Sequence, residues 1–120
     1  MAANRDAMEW RSRCPISSAL DVLGDKWSLL IIRDLMHHET RTYSAFLEKP
    51  ERISTNILAA RLALLTDLKL IERSSPEASP RNNAYRLTQS GAALRPVLLE
   101  LGRWAQTHLH DTHPDILRIV

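Results

Sequence analysis

Between Ile53 and Thr88 the apolar pattern of the chain changes from a helical to an alternating period, and few folds accept that order. Ser54 to Leu65 reads as a short helix with Leu58, Leu62 and Leu65 on one side. With Leu58 at the inward centre, a turn of about 100° per residue puts Asn56, Ala59, Ala60 and Ala63 on the far side. Leu70 to Arg73 then reads as a strand, and Ala84 to Leu87 as a second one. The segment 74–83 between them is rich in Ser, Pro and Asn, lacks an apolar period, and predicts a hairpin tip. A helix followed by a basic two-stranded hairpin is the order of a winged helix-turn-helix. There the helix enters a DNA major groove and the hairpin reaches flanking backbone or minor groove.

The far side of this helix carries the chemistry. Asn and Ala are unusual on a solvated helix face, where Glu and Lys are expected. Small side chains let a duplex approach closely, and an Asn amide can bond an adenine edge twice. The alternative is that another element covers this face. Ser54, Thr55 and Asn56 lie at the helix N-terminus, which reaches base edges first and favours a nearby phosphate. Ala59 belongs to the same expected DNA-contact set, and Arg61 lies on the flank. Arg61 either meets phosphate or pairs with Asp67 or Asp34. Arg73, Arg81 and Arg86 flank the hairpin and are the candidates for wing contact, the alternative being a disordered tip.

The rest of the chain reads as helical support. Residues 1–13 read as an N-terminal arm, either flexible or docked on a partner with Met8 and Trp10 as candidate anchors, ahead of a domain over 14–120. Pro15 and Gly24 bracket a first helix in the expected Pro-start, Gly-stop order. Asp25 caps a second helix from Lys26, with Trp27, Leu30, Ile31 and Leu35 as its core stripe. Arg41 to Tyr43 suits a very short strand, and Ser44 caps a third helix through about Lys49, which Pro50 stops. Thr88 starts a long helix over about 88–109, whose Leu94, Val97, Leu98, Leu101, Trp104 and Ala105 form a stripe wide enough for a partner helix. Pro96 predicts a bend or break within it, and Ile116 to Ile119 predicts a last short helix. The fold class is therefore mainly α with a small β-hairpin wing and helical dimerisation elements at both termini.

Composition narrows the function classes. A hydrophobic content of 44% with 25% charged residues suits a globular domain, and no apolar run approaches the ~20 residues of a membrane span. Residues 1–13 lack the apolar core of a signal peptide, which predicts a cytoplasmic protein without membrane association. The net charge is only +2, but residues 41–86 carry eight Lys or Arg against five acids, whereas 14–40 carry two against four. Thirteen of the sixteen basic residues are Arg, whose fork suits phosphate and guanine edges; a salt-bridged, solvated surface is the alternative. No phosphate-binding glycine loop, paired carboxylates or nucleophile motif points to an enzyme, and no cofactor is expected.

Cys14-Pro15 followed by Leu20-Asp21-Val22-Leu23-Gly24-Asp25-Lys26-Trp27-Ser28 resembles the opening of the HxlR-type winged helix-turn-helix transcriptional regulators, a MarR-like family. Ile53, Ser54, Leu58, Arg61-Leu62, Leu65 and Leu70-Ile71 resemble its recognition-helix region. Tyr85 to Gly91, then Leu94, Pro96 and Trp104, resemble its wing and dimer helix. The resemblance covers about residues 14–105. It implies a bacterial homodimer that binds a palindromic operator in double-stranded DNA, paired through its N-terminal and long C-terminal helices. It also implies, for some members, sensing of oxidants or electrophiles through a cysteine at the place of Cys14. Two positions depart from the pattern: Lys69 stands where the family usually has the Gly after the recognition helix, and Arg52 where a Gly often precedes it. A Lys there either accepts the strain of positive φ or uses another cap.

Cys14 has a physical reason to react. The helix dipole favours a thiolate just before a helix start, and Arg11 and Arg13 add positive charge nearby; a small buried hydrophobe is the alternative. His108, His110 and His113 with Asp111 read more simply as solvated end residues than as a zinc site, so no metal is expected. Trp27 and Trp104 read as core and dimer packing, with the lining of an effector pocket as the other use. The expected function is a sequence-specific DNA-binding regulator answering a small-molecule or oxidant effector. The alternatives are a winged-helix module that binds protein without DNA, and a small-molecule-sensing repressor with no thiol role.

Overall fold

The computed structural model describes residues 8–118. Helix α1 (Pro15–Leu23) starts on its proline and ends at Gly24, as the sequence predicts. Helix α2 (Ser28–His37) begins two residues later than expected. Asp25 still supplies its cap: the carboxylate accepts from the Trp27 and Ser28 N–H groups, both at 2.9 Å, and from Ser28 Oγ at 2.6 Å. The late start leaves Trp27 and Leu30 half-buried and shifts the core stripe to Ile31, Ile32 and Leu35.

Strand β1 (Arg41–Thr42) leads into the one-turn helix α3 (Tyr43–Phe46). The cap of α3 is Thr42, not Ser44, and the helix stops well before Lys49, because Tyr43 and Phe46 are both buried within its single turn. Helix α4 (Thr55–Asp67) starts on the expected cap, Ser54 Oγ accepting from the Ile57 N–H. Strands β2 (Ile71–Arg73) and β3 (Ala84–Leu87) pair antiparallel, with Glu72 opposite Arg86 and Arg73 opposite Tyr85. Strand β1 adds to the other edge of β3, so the wing is the larger part of a three-stranded sheet ordered β1-β3-β2.

The expected long C-terminal helix is two. Thr88 Oγ1 accepts from the Gly91 N–H and caps α5 (Gln89–Ala92); α6 (Arg95–His108) follows with Pro96 in its first turn, where a proline costs no helical hydrogen bond. Gly91 is required there, since an added Cβ would lie 2.0 Å from the Leu70 carbonyl oxygen. Ile116 to Arg118 is not helical, and Ile119, the last residue of that expected helix, lies outside the described residues, as do residues 1–7 of the arm. In the described part of the arm, Arg11 pairs with Asp21 of α1 and holds that carboxyl below its ordinary value. Met8 is half-buried and Trp10 exposed. No helix among the described residues is long and apolar enough to cross a membrane.

The core sits where α2, α3, α4 and the sheet meet. Leu58, Leu62 and Leu65 are wholly buried, packed with Ile32, Ile71 and Tyr85, and Phe46 meets the Tyr85 ring edge-on at 6.3 Å. These three leucines are the inward row predicted for α4. Burying a side chain of this size is worth about 1.5–3 kcal/mol, so this row fixes which side of α4 is left outside.

Candidate nucleic-acid interface

What remains outside on α4 is its N-terminal far side. Ser54, Thr55, Asn56 and Ala60 are exposed. Ala59 and Ala63, expected there too, are half-buried, and Ala59 packs against the core cluster. Ala59 lies only about a quarter turn from Leu58, so neighbouring elements close over it. The open patch is therefore narrower than the sequence suggests and centres on Asn56 and Ala60. Ile57 joins its edge, 40% exposed.

Two left-handed residues bracket this helix. Arg52 has φ 59° and Lys69 has φ 63°, so both glycine departures are accommodated by strain and not by another cap. At the C-terminal end the Lys69 N–H bonds the Thr66 carbonyl and the Leu70 N–H bonds the Leu65 carbonyl, each at 3.0 Å. That is the double-bonded Schellman ending, which normally places Gly where Lys69 stands. The Lys69 carbonyl in turn accepts from Thr88 Oγ1 at 2.6 Å and Ser90 Oγ at 2.9 Å, which ties the end of α4 to the start of α5. At the N-terminal end Glu51 makes a two-pronged pair with Arg33, at 2.8 and 3.1 Å. Those hydrogen bonds outweigh the partial burial of Glu51 and hold its carboxyl below the ordinary value.

The wing tip is folded, not extended. The 3-10 turn Pro80–Asn82 lies against α3 and α4. Asn83, buried, clasps the loop: its Oδ1 accepts from the Ser75 N–H at 2.7 Å, and its Nδ2 donates to the Ser79 carbonyl at 2.8 Å. Tyr85 Oη donates to the Pro80 carbonyl at 2.9 Å. Arg81 stacks over the Tyr43 ring at 5.3 Å, and Tyr43 Oη donates to the Thr55 carbonyl at 2.9 Å. A wing arginine is thereby set beside the start of α4. Sequence reasoning missed Tyr43 and Asn83 in these roles, because neither stands in a periodic or motif context.

The other candidates are placed differently. Arg86 is exposed and pairs with Glu72 across the hairpin at 2.6 Å; Arg73 is half-buried. Arg61 pairs with neither Asp67 nor Asp34 but lies 3.7 Å from Asp25, which joins α4 to the cap of α2. Burial alone would raise the Asp25 carboxyl; the hydrogen bonds from Ser28 and from the Trp27 and Ser28 N–H groups, with Arg61 nearby, outweigh it and hold it low. Cys14 is an exposed free thiol at the N-cap of α1, so it is not the buried hydrophobe of the alternative reading. Arg11, expected to lend it charge, is engaged with Asp21. Among the described residues no group of acidic, His or Cys side chains could hold a metal ion; His108 stacks against Trp104 at 5.5 Å.

The apolar stripe of the C-terminal helix divides. Leu94 and Leu98 pack on the core, while Val97, Leu101 and Trp104 are about half exposed. On α1, Ile16 and Leu20 are exposed as well. Large apolar groups left open on two helices mark an interaction surface.

Comparison with known proteins matches residues 22–113 to the model of the HxlR-like helix-turn-helix family. The HTH-type transcriptional regulator YodB of Bacillus subtilis is 37% identical over 93 residues, covering 77% of this chain and 82% of that one. An uncharacterized HTH-type transcriptional regulator of Synechocystis, sll1512, is 37% identical over 89 residues, and the match spans 73% of this chain but only 64% of the relative. The reduced form of YodB superposes with a TM-score of 0.65 at 34% identity, covering 81% of this chain and 95% of that one. A diamide-treated form of YodB superposes with a TM-score of 0.60 at the same identity, covering 79% of this chain and 94% of that one.

Proposed function

The chain belongs to the HxlR-like helix-turn-helix family and is a transcriptional regulator, not an enzyme, and we propose that it works as a homodimer on a palindromic DNA operator. The observation that carries this is the exposed Ser54, Thr55, Asn56 and Ala60 surface on a helix whose opposite row is wholly buried. Asn56 reads base edges. Ser54, Thr55 and the α4 N-terminus meet phosphate, and Arg81 adds a guanidinium from the adjoining wing. Arg73 and Arg86 extend the contact along the hairpin; Arg61 and Ala59 support the helix without touching DNA.

Two copies pair through Val97, Leu101 and Trp104 of α6 with Ile16 and Leu20 of α1. The domain over 14–120 thus carries both functions, and Arg11 of the arm that precedes it pairs with α1. The pairing sets the two α4 helices roughly one duplex turn, ~34 Å, apart in successive grooves. Cys14 stands exposed at the start of α1, the helix that carries Ile16 and Leu20, so an adduct or an intersubunit disulfide there alters the spacing of the two copies. The relative YodB, solved in reduced and diamide-treated forms, supports a thiol reading of Cys14. The site of action is the cytoplasm of a bacterial cell, where operator DNA lies.

A gel shift on the DNA upstream of the chain's own gene, repeated across salt concentrations and after mild oxidant, tests this. The expected result is a retained specific complex whose affinity falls steeply with salt, and an oxidant response that Cys14→Ser removes. A flat salt dependence points instead to a protein-binding module. An unchanged response in Cys14→Ser ends the thiol role.

A further inference from the structure

Helix α6 has a second apolar side that the proposed pairing leaves unused. A groove of about 570 Å³ opens between the C-terminal half of α2, this side of α6 and the segment 113–118. The segment is held back against α6 by Gln106 Nε2, which donates to the Leu117 carbonyl at 2.9 Å. At about 100° per residue, Gly102 lies well over a quarter turn from the centre of the Val97, Leu101 and Trp104 side, Leu98 about a quarter turn and Ala105 somewhat less.

Its walls are apolar and its charges are unbalanced. Met36, Leu98, Leu99 and Ile116 supply the apolar surface. Three arginines, Arg33, Arg95 and Arg118, line it against one acidic residue, Asp115. Among the described residues neither Arg95 nor Arg118 forms an ion pair, and Arg33 is the only one already shared, with Asp34 and Glu51. The volume lies within the ~300–1,000 Å³ common for organic ligands, which combine apolar walls with a few polar anchors.

We propose that this groove binds an apolar organic anion of one or two rings, its ring body against Met36, Leu98 and Leu99 and its carboxylate on the arginines that line it. Arg33 carries occupancy onward. Arg33, which lines the groove, also holds Glu51 through its guanidinium, next to the left-handed Arg52 and shortly before the α4 cap Ser54. A carboxylate in the groove competes with Glu51 for Arg33 and loosens the turn that enters α4. Only this onward step rests on the DNA-binding reading, and it acts only because the ligand binds the two arrangements unequally.

Isothermal titration calorimetry of the full chain with 2-naphthoate, and with neutral 2-naphthamide as its partner probe, tests the site. The expected result is one naphthoate per chain, at least tenfold weaker binding of the amide, and at least tenfold weaker naphthoate binding in Arg95→Gln/Arg118→Gln. Gly102→Leu, which projects a side chain from the groove wall and favours the helix, is expected to abolish binding. The exposed double Arg variant carries the test should Gly102→Leu fail to fold. Glu51→Gln is expected to tighten naphthoate at least threefold by freeing Arg33. Equal affinity for acid and amide, unchanged binding in the double Arg variant, or binding lost in Leu101→Asp but kept in Gly102→Leu would overturn the site. The last result would seat the ligand between two copies. Failure to bind any DNA leaves these titrations intact. Naphthoate that binds without changing the affinity of a retained DNA complex refutes the onward step alone.

Discussion

Replacing Lys69 by Gly should stabilise the protein, although it removes a side chain and contributes no new contact. Lys69 holds φ 63° at the junction of recognition helix and wing, and its side chain is exposed. A non-glycine residue in this region costs about 1–2 kcal/mol, because Cβ crowds the following carbonyl. Glycine removes that cost but returns about 0.4–1 kcal/mol through the greater freedom of its unfolded chain. The net gain is about 0.5–1 kcal/mol. For a domain of 120 residues, an unfolding entropy of about 2.1 cal/mol/K per residue gives roughly 0.25 kcal/mol per degree, so the melting temperature should rise by about 2–4 °C. Lys69→Ala is the control: it keeps Cβ, and therefore the strain, and should melt within about 2 °C of the parent. Circular dichroism melts at one fixed protein concentration read the difference, since the proposed pairing makes the midpoint depend on concentration. A Lys69→Gly protein no more stable than Lys69→Ala would refute the strain argument, and would mean that the bonds from Thr88 and Ser90 to the Lys69 carbonyl set the local stability.

Four further variants have expected outcomes. Asn56→Ala should lose about 1–3 kcal/mol of discrimination at one base pair while keeping nonspecific binding, whereas Arg81→Gln should weaken all sequences and lower the salt slope by ~1; competition titrations at several salt concentrations separate the two. Leu101→Asp should convert the proposed dimer to a folded monomer in sedimentation velocity, because pairing would bury an unpaired charge on a residue now 52% exposed. Asp25→Ala should cost about 1 kcal/mol at neutral pH through the lost cap. Because the folded Asp25 carboxyl is held low, its stabilisation is present above the ordinary value of 3.8 and disappears as pH falls through the lower folded one, so the gap between Asp25→Ala and parent in denaturant melts should close in acid.

The parts of the fold that periodicity controls were legible in the sequence. The Leu58, Leu62, Leu65 row, the Ser54 cap and the strands around 71–73 and 84–87 stand where the pattern puts them. The two glycine departures could be located but not resolved, since strain and an alternative cap differ only in tertiary hydrogen bonds such as those to the Lys69 carbonyl. The sequence places a hairpin tip at 74–83 but not its order, because the Ser, Pro and Asn content there has no period. What orders it is one buried Asn83 and an Arg81 stack on a ring 38 residues earlier in the chain, which no local pattern encodes. Arg61 chose Asp25 over two acids that looked as suitable, because the late start of α2 brings the Asp25 cap within reach of α4. The exposure of Ala59 failed for a similar reason: helix phase gives an angle, and only the neighbouring elements decide how far around the buried side extends.

The most direct measurement is an amide chemical-shift map of the isotope-labelled protein titrated with a duplex from its own upstream region. The account predicts that the largest changes fall on Ser54, Thr55, Asn56 and Ala60, with Arg81 next, while α6 stays nearly still. Changes concentrated on α1 and α6, with the start of α4 unmoved, would contradict it.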